Sequence, residues 1–227
     1  INYFILKGKT IFTFFYDDYK AEEYLADHTI NVMIMSLGIG LRLGYNKSRL
    51  DELGMAAFLH DIGMLEVKEI YLQPHTISED EHKQIKKHPS NAVTILSEIQ
   101  DISQTVIDAV KQVHERIMGH GYPEGFKGED ICEYARIIGT VDVYEALTHA
   151  RVHRKRLSPH EALKEMLSQS DALFDKQVFK ILIDQIGVYP LGSYAVLNSN
   201  EIVKVVTANE DFPLRPVVSI VFDAQRN

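Results

Sequence analysis

Ten histidines occur in the 227 residues, and several of them stand where an apolar segment begins or ends. His28 opens "HTINVMIM", and His60 and Asp61 close "GMAAFLHDIG". His88 precedes Pro89, His114 precedes the glycine-containing "MGHGYP", and Asp142 lies inside "IIGTVDVYEAL". A solitary histidine is most often a satisfied polar residue. An aspartate flanked by Ile138, Val141, Val143, Ala146 and Leu147 is harder to leave alone, because burying a carboxylate without a partner charge is costly. Asp61 raises the same difficulty. A divalent metal ion neutralises such carboxylates, and neutral imidazoles complete its shell. Adjacent residues on a helix point about 100° apart. His60 and Asp61 therefore serve one ion only near a helix end, or else the carboxylate bridges to a second ion. Two metals bridged by a carboxylate form a device for phosphoester hydrolysis. A basic run, "THARVHRKR" (Thr148 to Arg156), carries Arg151, Arg154, Lys155 and Arg156. It reads either as a solvated helix end or as an anion pocket.

The elements that would position these groups are mostly helical. "ADHTINVMIMSLGIGLRLGY" keeps apolar residues at helical spacing, with Gly44 as its stop. "SRLDELGMAAFLHDIG" follows, with Ser48 as the expected cap and Gly63 as the expected end. Ser78 and Glu81 form a capping-box pattern, and Pro89 predicts that this helix stops near His88. "DISQTVIDAVKQVHERI" carries an apolar stripe at Val106, Val110, Val113 and Ile117, and "YARIIGTVDVYEALTHA" is apolar nearly throughout. Ser158, Pro159 and Glu161 mark one more helix start. Helices of this kind can each present one or two ligands rigidly toward a bundle interior. After Gly187 the pattern changes to β-branched runs broken by Asn198-Ser199-Asn200, Pro213 and Pro216, which predicts a short antiparallel meander. The expected organisation is an N-terminal segment or interdomain connector over 1–20, a helical metal-binding domain over 21–187, and a small β appendage over 188–227.

Composition narrows the partners. Hydrophobic residues are 45% and charged residues 25%, the usual balance of a soluble globular protein. The formal net charge of −8 argues against a nucleic-acid polymer as partner. One cysteine, Cys132, excludes an internal disulfide and a multi-cysteine zinc site, and fits a reducing, cytoplasmic compartment. No apolar run approaches the roughly 18 residues of a membrane span. The chain starts at Ile1, which we read as a piece of a longer protein, so that an upstream sensor domain and a homodimer both stay open as partners.

Five blocks in order, "LHDIGM", "KKHPSNAVTIL", "HERIMGHGYPEGFKGEDI", "ARIIGTVDVYEALTHARVHRKRLSPHEAL" and the spacing between them, resemble the HD-GYP family, a bacterial branch of the HD-domain metal phosphohydrolases. The resemblance covers roughly Ala26 to Gly187, and the closing "YPLGSYAVLNSNEIVKVV…FPLRPVV" is similar to the small β tail of many such proteins. It implies a mainly α fold, an HD-domain helical bundle with a small C-terminal antiparallel β appendage. It implies a centre of two or three divalent metal ions, often iron or manganese, of which two are expected here, and a cyclic dinucleotide as substrate, cyclic di-GMP foremost. By position, His28, His60, Asp61, His88, His114 and Asp142 match metal ligands, with Asp61 the expected bridge and His60 and Asp61 the catalytic pair. Gly121, Tyr122 and Pro123 match the GYP signature, and Arg151 and Arg154 match positions that contact substrate phosphate.

The chain also departs from the family pattern. Where the family usually reads HDIGK, this chain has Met64, which removes a cation expected near the substrate phosphates. The first histidine of the family's HHE run is Val113, which reads as core. Met118 and His120 replace the acid and the small polar residue before GYP, and His120 becomes a candidate substitute ligand. Tyr24 stands where three-metal members carry a glutamate, which argues for two ions. Two readings follow. One is an active phosphodiesterase, in which a hydroxide activated by the metals attacks phosphorus. The alternative is a degenerate domain that binds a cyclic dinucleotide or a protein without turnover. The complete set of His28, His60, Asp61 and Asp142 favours the first.

Overall fold

The computed structural model describes residues 24–73, 76–149, 156–187, 192–207, 209 and 215–225. The expectation for residues 1–20 lies outside them, as do Arg151 and Arg154. Helix α1 (Tyr24–Arg42) is followed by a turn at Gly44, whose φ of 77° suits a residue without a Cβ. Helix α2 (Lys47–Leu59) packs along α1. Its cap is Asn46 rather than Ser48: the Asn46 side chain accepts a hydrogen bond from the Arg49 amide. The helix ends before Gly63, because His60 and Asp61 already leave it and a 3-10 helix runs over Ile62–Val67. Short α3 (Lys68–Tyr71) and α4 (Glu79–Ile85) come next, the latter started by the Ser78–Glu81 capping box.

The proline signal needs correcting. It predicts that a helix stops near His88. In the structure α4 stops at Ile85, and His88 opens a new helix, α5 (His88–Ser97), with Pro89 in its first turn. Proline is tolerated there because the first amides of a helix have no intrahelical acceptor. Helix α6 (Gln104–Gln112) is capped by Ser103, α7 spans Glu133–Thr148, and α8 (Pro159–Ser168) starts at the Ser158–Glu161 capping box. Helices α9 (Ser170–Leu173) and α10 (Lys176–Ile186) complete the helical part.

Helix α7 runs through the middle of the core. Ile137, Ile138, Val141 and Tyr144 are fully buried against Val32, Met35 and Ile39 of α1, Val106 and Val110 of α6, and Leu182 of α10. A helix apolar around most of its circumference is an interior helix, so a carboxylate in it has no route to bulk water along its own element. Val113 caps the end of α6 and is 1% exposed in this same core. Its expected place in the apolar stripe is therefore where the structure puts it, whereas Ile117 lies beyond the helix.

The β appendage is a three-stranded antiparallel sheet of order β1 (Tyr194–Val196), β2 (Ile202–Thr207) and β3 (Val217–Phe222). Tyr194 faces Lys204 across one ladder and Val203 faces Ile220 across the other. Only Val203 and Val205 are buried, both on the central strand.

Candidate metal centre

Six side chains from five places in the sequence meet at one end of the bundle. His28 comes from the first turns of α1, His60 and Asp61 from the end of α2, His88 from the start of α5, His114 from just past α6, and Asp142 from the middle of α7. Their ligand atoms form two groups, His28–His60–Asp142 and Asp61–His88–His114, each within 4.8 Å internally. Asp61 links them. Its Oδ2 lies 3.6 Å from Nε2 of both His28 and His60, and its Oδ1 lies 3.3 Å from Nε2 of His88. The difficulty of two adjacent ligands pointing about 100° apart is resolved because α2 ends at Leu59 and Asp61 already has non-helical angles.

The imidazoles are held from behind. His60 Nδ1 donates to the Ala57 carbonyl at 2.7 Å, and His88 Nδ1 donates to the Ile85 carbonyl at 2.8 Å. A carbonyl only accepts, so each of these rings carries a proton on Nδ1 and turns its Nε2 inward. His28 Nδ1 donates to the carboxylate of Glu145, and Glu145 is in turn held by Asn31 at 3.0 Å and by His149 at 2.7 Å. This is the outer-shell arrangement that orients histidine ligands in metal sites. His28 Nε2 then faces Asp142 Oδ1 at 3.3 Å as well as Asp61.

Several observations fit a cation at this place. His60 Nε2 is fully buried and has no hydrogen-bond partner among the described residues. Such an atom is costly to leave unsatisfied. The Nε2 atoms of His88 and His114 are 2.8 Å apart; two ligands each about 2.1 Å from one ion, at a right angle, are separated by about 3 Å. Burial pushes both aspartates toward the neutral form, yet the hydrogen bond from His28 and the charges of His114, His28 and His60 hold Asp142 well below the usual carboxylate range. Asp61 is likewise lowered against its burial by His60, His28 and His88. Burial, with His88 and Arg116 nearby, takes the His114 imidazole down to about 3, so it is a neutral donor at ordinary pH. Two ionised carboxylates facing imidazole nitrogens are a hard-to-intermediate donor set, suited to first-row divalent metals.

Two glycines bring the pieces close enough. A Cβ on Gly63 would lie 2.0 Å from the His88 carbonyl oxygen, so only glycine lets the segment after Asp61 press against the start of α5. A Cβ on Gly121 would lie 2.4 Å from Cα of Glu115 and 2.5 Å from the His114 carbonyl oxygen. Gly119 takes a left-handed turn, with φ 79°, whereas Gly121 serves close approach. The Tyr122 amide then donates to the His114 carbonyl at 3.2 Å, and the Tyr122 ring stacks on His114 at 4.9 Å and 11°. Glu115 pins the far end of this loop by accepting from the amides of Glu124 at 2.7 Å and Gly125 at 3.0 Å. Burial raises the Tyr122 phenol, with Asp142 adding to the rise, so its hydroxyl stays neutral.

Sequence reasoning passed over Glu145 and Glu115. Glu145 stands three residues after Asp142, one turn along the same face of an apolar helix, and that spacing was the available signal. His120 is exposed and belongs to neither ligand group, so it does not replace the ligand missing at Val113.

A family model described as HD domain matches residues 21–178, and another described as KOW domain associated with HD domain matches 194–227. The chain belongs to the HD domain family, in its HD-GYP branch. It is 31% identical over 206 residues to cyclic di-GMP phosphodiesterase PA4108 of Pseudomonas aeruginosa, covering 90% of this chain and 50% of that protein. It is 30% identical over 195 residues to cyclic di-GMP phosphodiesterase PdeB of Borreliella burgdorferi, covering 86% of this chain and 51% of that protein. The chain thus spans about half the length of these curated relatives. The solved structure of Bd1817, an HDG"Y"P protein from Bdellovibrio bacteriovorus, matches with a TM-score of 0.60 at 22% identity, covering 70% of this chain and 51% of that one, a likeness of fold. No helix among the described residues is long and apolar enough to cross a membrane.

Proposed function

We propose that this chain is a metal-dependent phosphodiesterase that hydrolyses a cyclic dinucleotide, cyclic di-GMP foremost, in the bacterial cytoplasm. The observation that carries the reading is the buried cluster in which His28, His60 and His88 are locked from behind by Glu145 and two carbonyls while their Nε2 atoms face two ionised aspartates. The names of the two curated relatives supply the substrate class.

In this reading His28, His60, Asp61, His88, His114 and Asp142 hold two divalent ions, and the mixed imidazole and carboxylate set suits iron or manganese. Bound there, such ions lower the pKa of water and stabilise charge on phosphoryl oxygens. The chain's own residues do the rest. Asp61, with one oxygen toward each ligand group, keeps the two groups in register. Glu145 holds the His28 ring so that its Nε2 stays aimed at the centre. Tyr122 forms a wall on His114 and carries a neutral hydroxyl. Arg151 and Arg154 are assigned to the substrate phosphates, where an arginine can bind two oxygens at once.

Linearisation of cyclic di-GMP by the protein loaded with iron(II) or manganese(II), followed by chromatography of the products, tests this. Turnover lost in Asp61→Ala supports the reading. Tight nucleotide binding with no product under any metal overturns it.

A further inference from the structure

A cyclic dinucleotide carries two phosphodiesters, and the centre described above addresses one of them. The second must meet the protein outside the ligand cluster. We infer that Lys86, standing over Tyr122 at the rim of the centre, is the subsite for the phosphate that is not under attack. The inference rests on the cyclic-dinucleotide reading above and deepens it.

Lys86 follows the last residue of α4 and lies two residues before the candidate ligand His88. Its side chain is exposed, and its ammonium is 5.4 Å from the centre of the Tyr122 ring. That ring stacks on His114 at 4.9 Å and meets His88 edge-on at 6.4 Å. Lys86 is therefore two ring contacts away from the ligand cluster, outside it but on the same rim. The ring holds the ammonium by cation–π attraction, which leaves its donors available to an anion. Two other cations in this region are committed. Arg116 donates to the carbonyls of Val113 and Glu115, at 3.0 and 2.8 Å, and Lys111 pairs with Glu124 at 2.6 Å. Lys86 makes no ion pair with an acid among the described residues. A cation free of acids, beside an aromatic face and next to a centre that takes one phosphate, is suited to a second phosphate of the same ligand.

The test compares two substrates on the metal-loaded protein. Bis(p-nitrophenyl) phosphate has one phosphodiester; cyclic di-GMP has two. In Lys86→Gln, the KM and the dissociation constant for cyclic di-GMP should rise roughly tenfold, the usual effect of losing one hydrogen bond to a charged group. kcat/KM for bis(p-nitrophenyl) phosphate and the bound metal content should stay within about twofold. Lys86→Arg should restore most of the affinity. Lys83→Gln, which removes an equal charge from a lysine paired with Asp80, should change nothing. Equal loss on both substrates would move Lys86 into the centre itself and overturn the subsite, and no loss on either would remove it altogether. If the unaltered protein cleaves the simple diester but neither binds nor cleaves cyclic di-GMP, the parent reading fails and takes the subsite with it. If it binds cyclic di-GMP without cleaving it, the dissociation constants alone decide Lys86.

Discussion

The two groups of candidate ligands in the centre are built differently. In the first, His28 and His60 are 1% exposed and Asp142 is buried on an interior helix. Both rings are fixed from outside the cluster, by Glu145 and by the Ala57 carbonyl. In the second, Asp61 and His114 are only partly buried, and of the two rings His88 alone donates to an outer acceptor among the described residues, the Ile85 carbonyl. His114 is held instead by the stacked face of Tyr122, on the rim where Lys86 stands. The difference separates two tasks. A donor set locked by outer hydrogen bonds holds an ion in fixed geometry. A set that opens toward an aromatic wall can admit a substrate.

Asp61→Ala should damage both groups at once. We expect turnover to fall by about a thousandfold or more, with loss of bound metal by elemental analysis. A variant that keeps two ions would show that Asp61 does not join the groups.

The next contrast is between the groups. His60→Ala should weaken binding at the first group by about 100-fold or more, whereas His114→Ala should leave one tightly held ion and a weakened second one. Calorimetric titration with manganese(II) reads both numbers, and identical titrations for the two variants would erase the distinction drawn above.

Glu145→Gln sharpens the comparison further. It keeps the shape but loses the charge behind His28, and metal affinity at the first group should fall by about 10- to 100-fold. The same variant has a pH signature. The first influence on the Glu145 carboxyl is burial, which raises it, but His28, His149 and Asn31 hold it well below its ordinary value of 4.5. A carboxyl depressed on folding contributes stability that is fully present above that ordinary value and is lost progressively as pH falls below it toward and through the lowered folded value. Metal-free Glu145→Gln should therefore show a flatter fall in thermal stability on acidification than the unaltered protein.

Gly63→Ala acts on the second group through the backbone. The new methyl would collide with the His88 carbonyl, and we expect about 1–3 kcal/mol of destabilisation by chemical unfolding. Tyr122→Phe should be the mildest change. It keeps the wall on His114 and removes only a neutral hydroxyl, so turnover should fall by less than about threefold unless that hydroxyl donates to the substrate.

Much of the site could be read from the chain alone, for a physical reason. Aspartates inside apolar segments, such as Asp142, are costly without a counter-charge, and histidines at segment boundaries are the neutral donors that complete a metal shell. Residue type and position were enough to single out His28, His60, Asp61, His88, His114 and Asp142 as candidates, and the family resemblance joined them into one expected ligand set. Glu145 escaped because a glutamate one turn from an aspartate looks the same whether it faces water or His28. Only the packing of α1 on α7 distinguishes the two. His120 misled in the opposite direction: its type suits a ligand, but its place on the loop leaves it exposed.

Local signals behaved in the same way. The capping boxes at Ser78 and Ser158 are complete within four residues and were legible as such. The choice between Asn46 and Ser48 depended on where α2 begins against α1, and Pro89 could end one helix or begin another. Gly121 needed the tertiary structure to show that it makes room for Glu115 and His114.

The sequence by itself determined which residues can carry charge into an apolar interior, and hence the helical class, the ligand types and the family. The first two follow from short-range chemistry and from periodicity, and the family from the five ordered motif blocks that resemble it. Tertiary structure alone decided that the candidate ligands fall into two unequal groups, that Glu145 backs one of them, and that Lys86 stands over Tyr122 beside the other. Each of these is a contact between side chains distant along the chain, or separated by a turn whose path only packing sets.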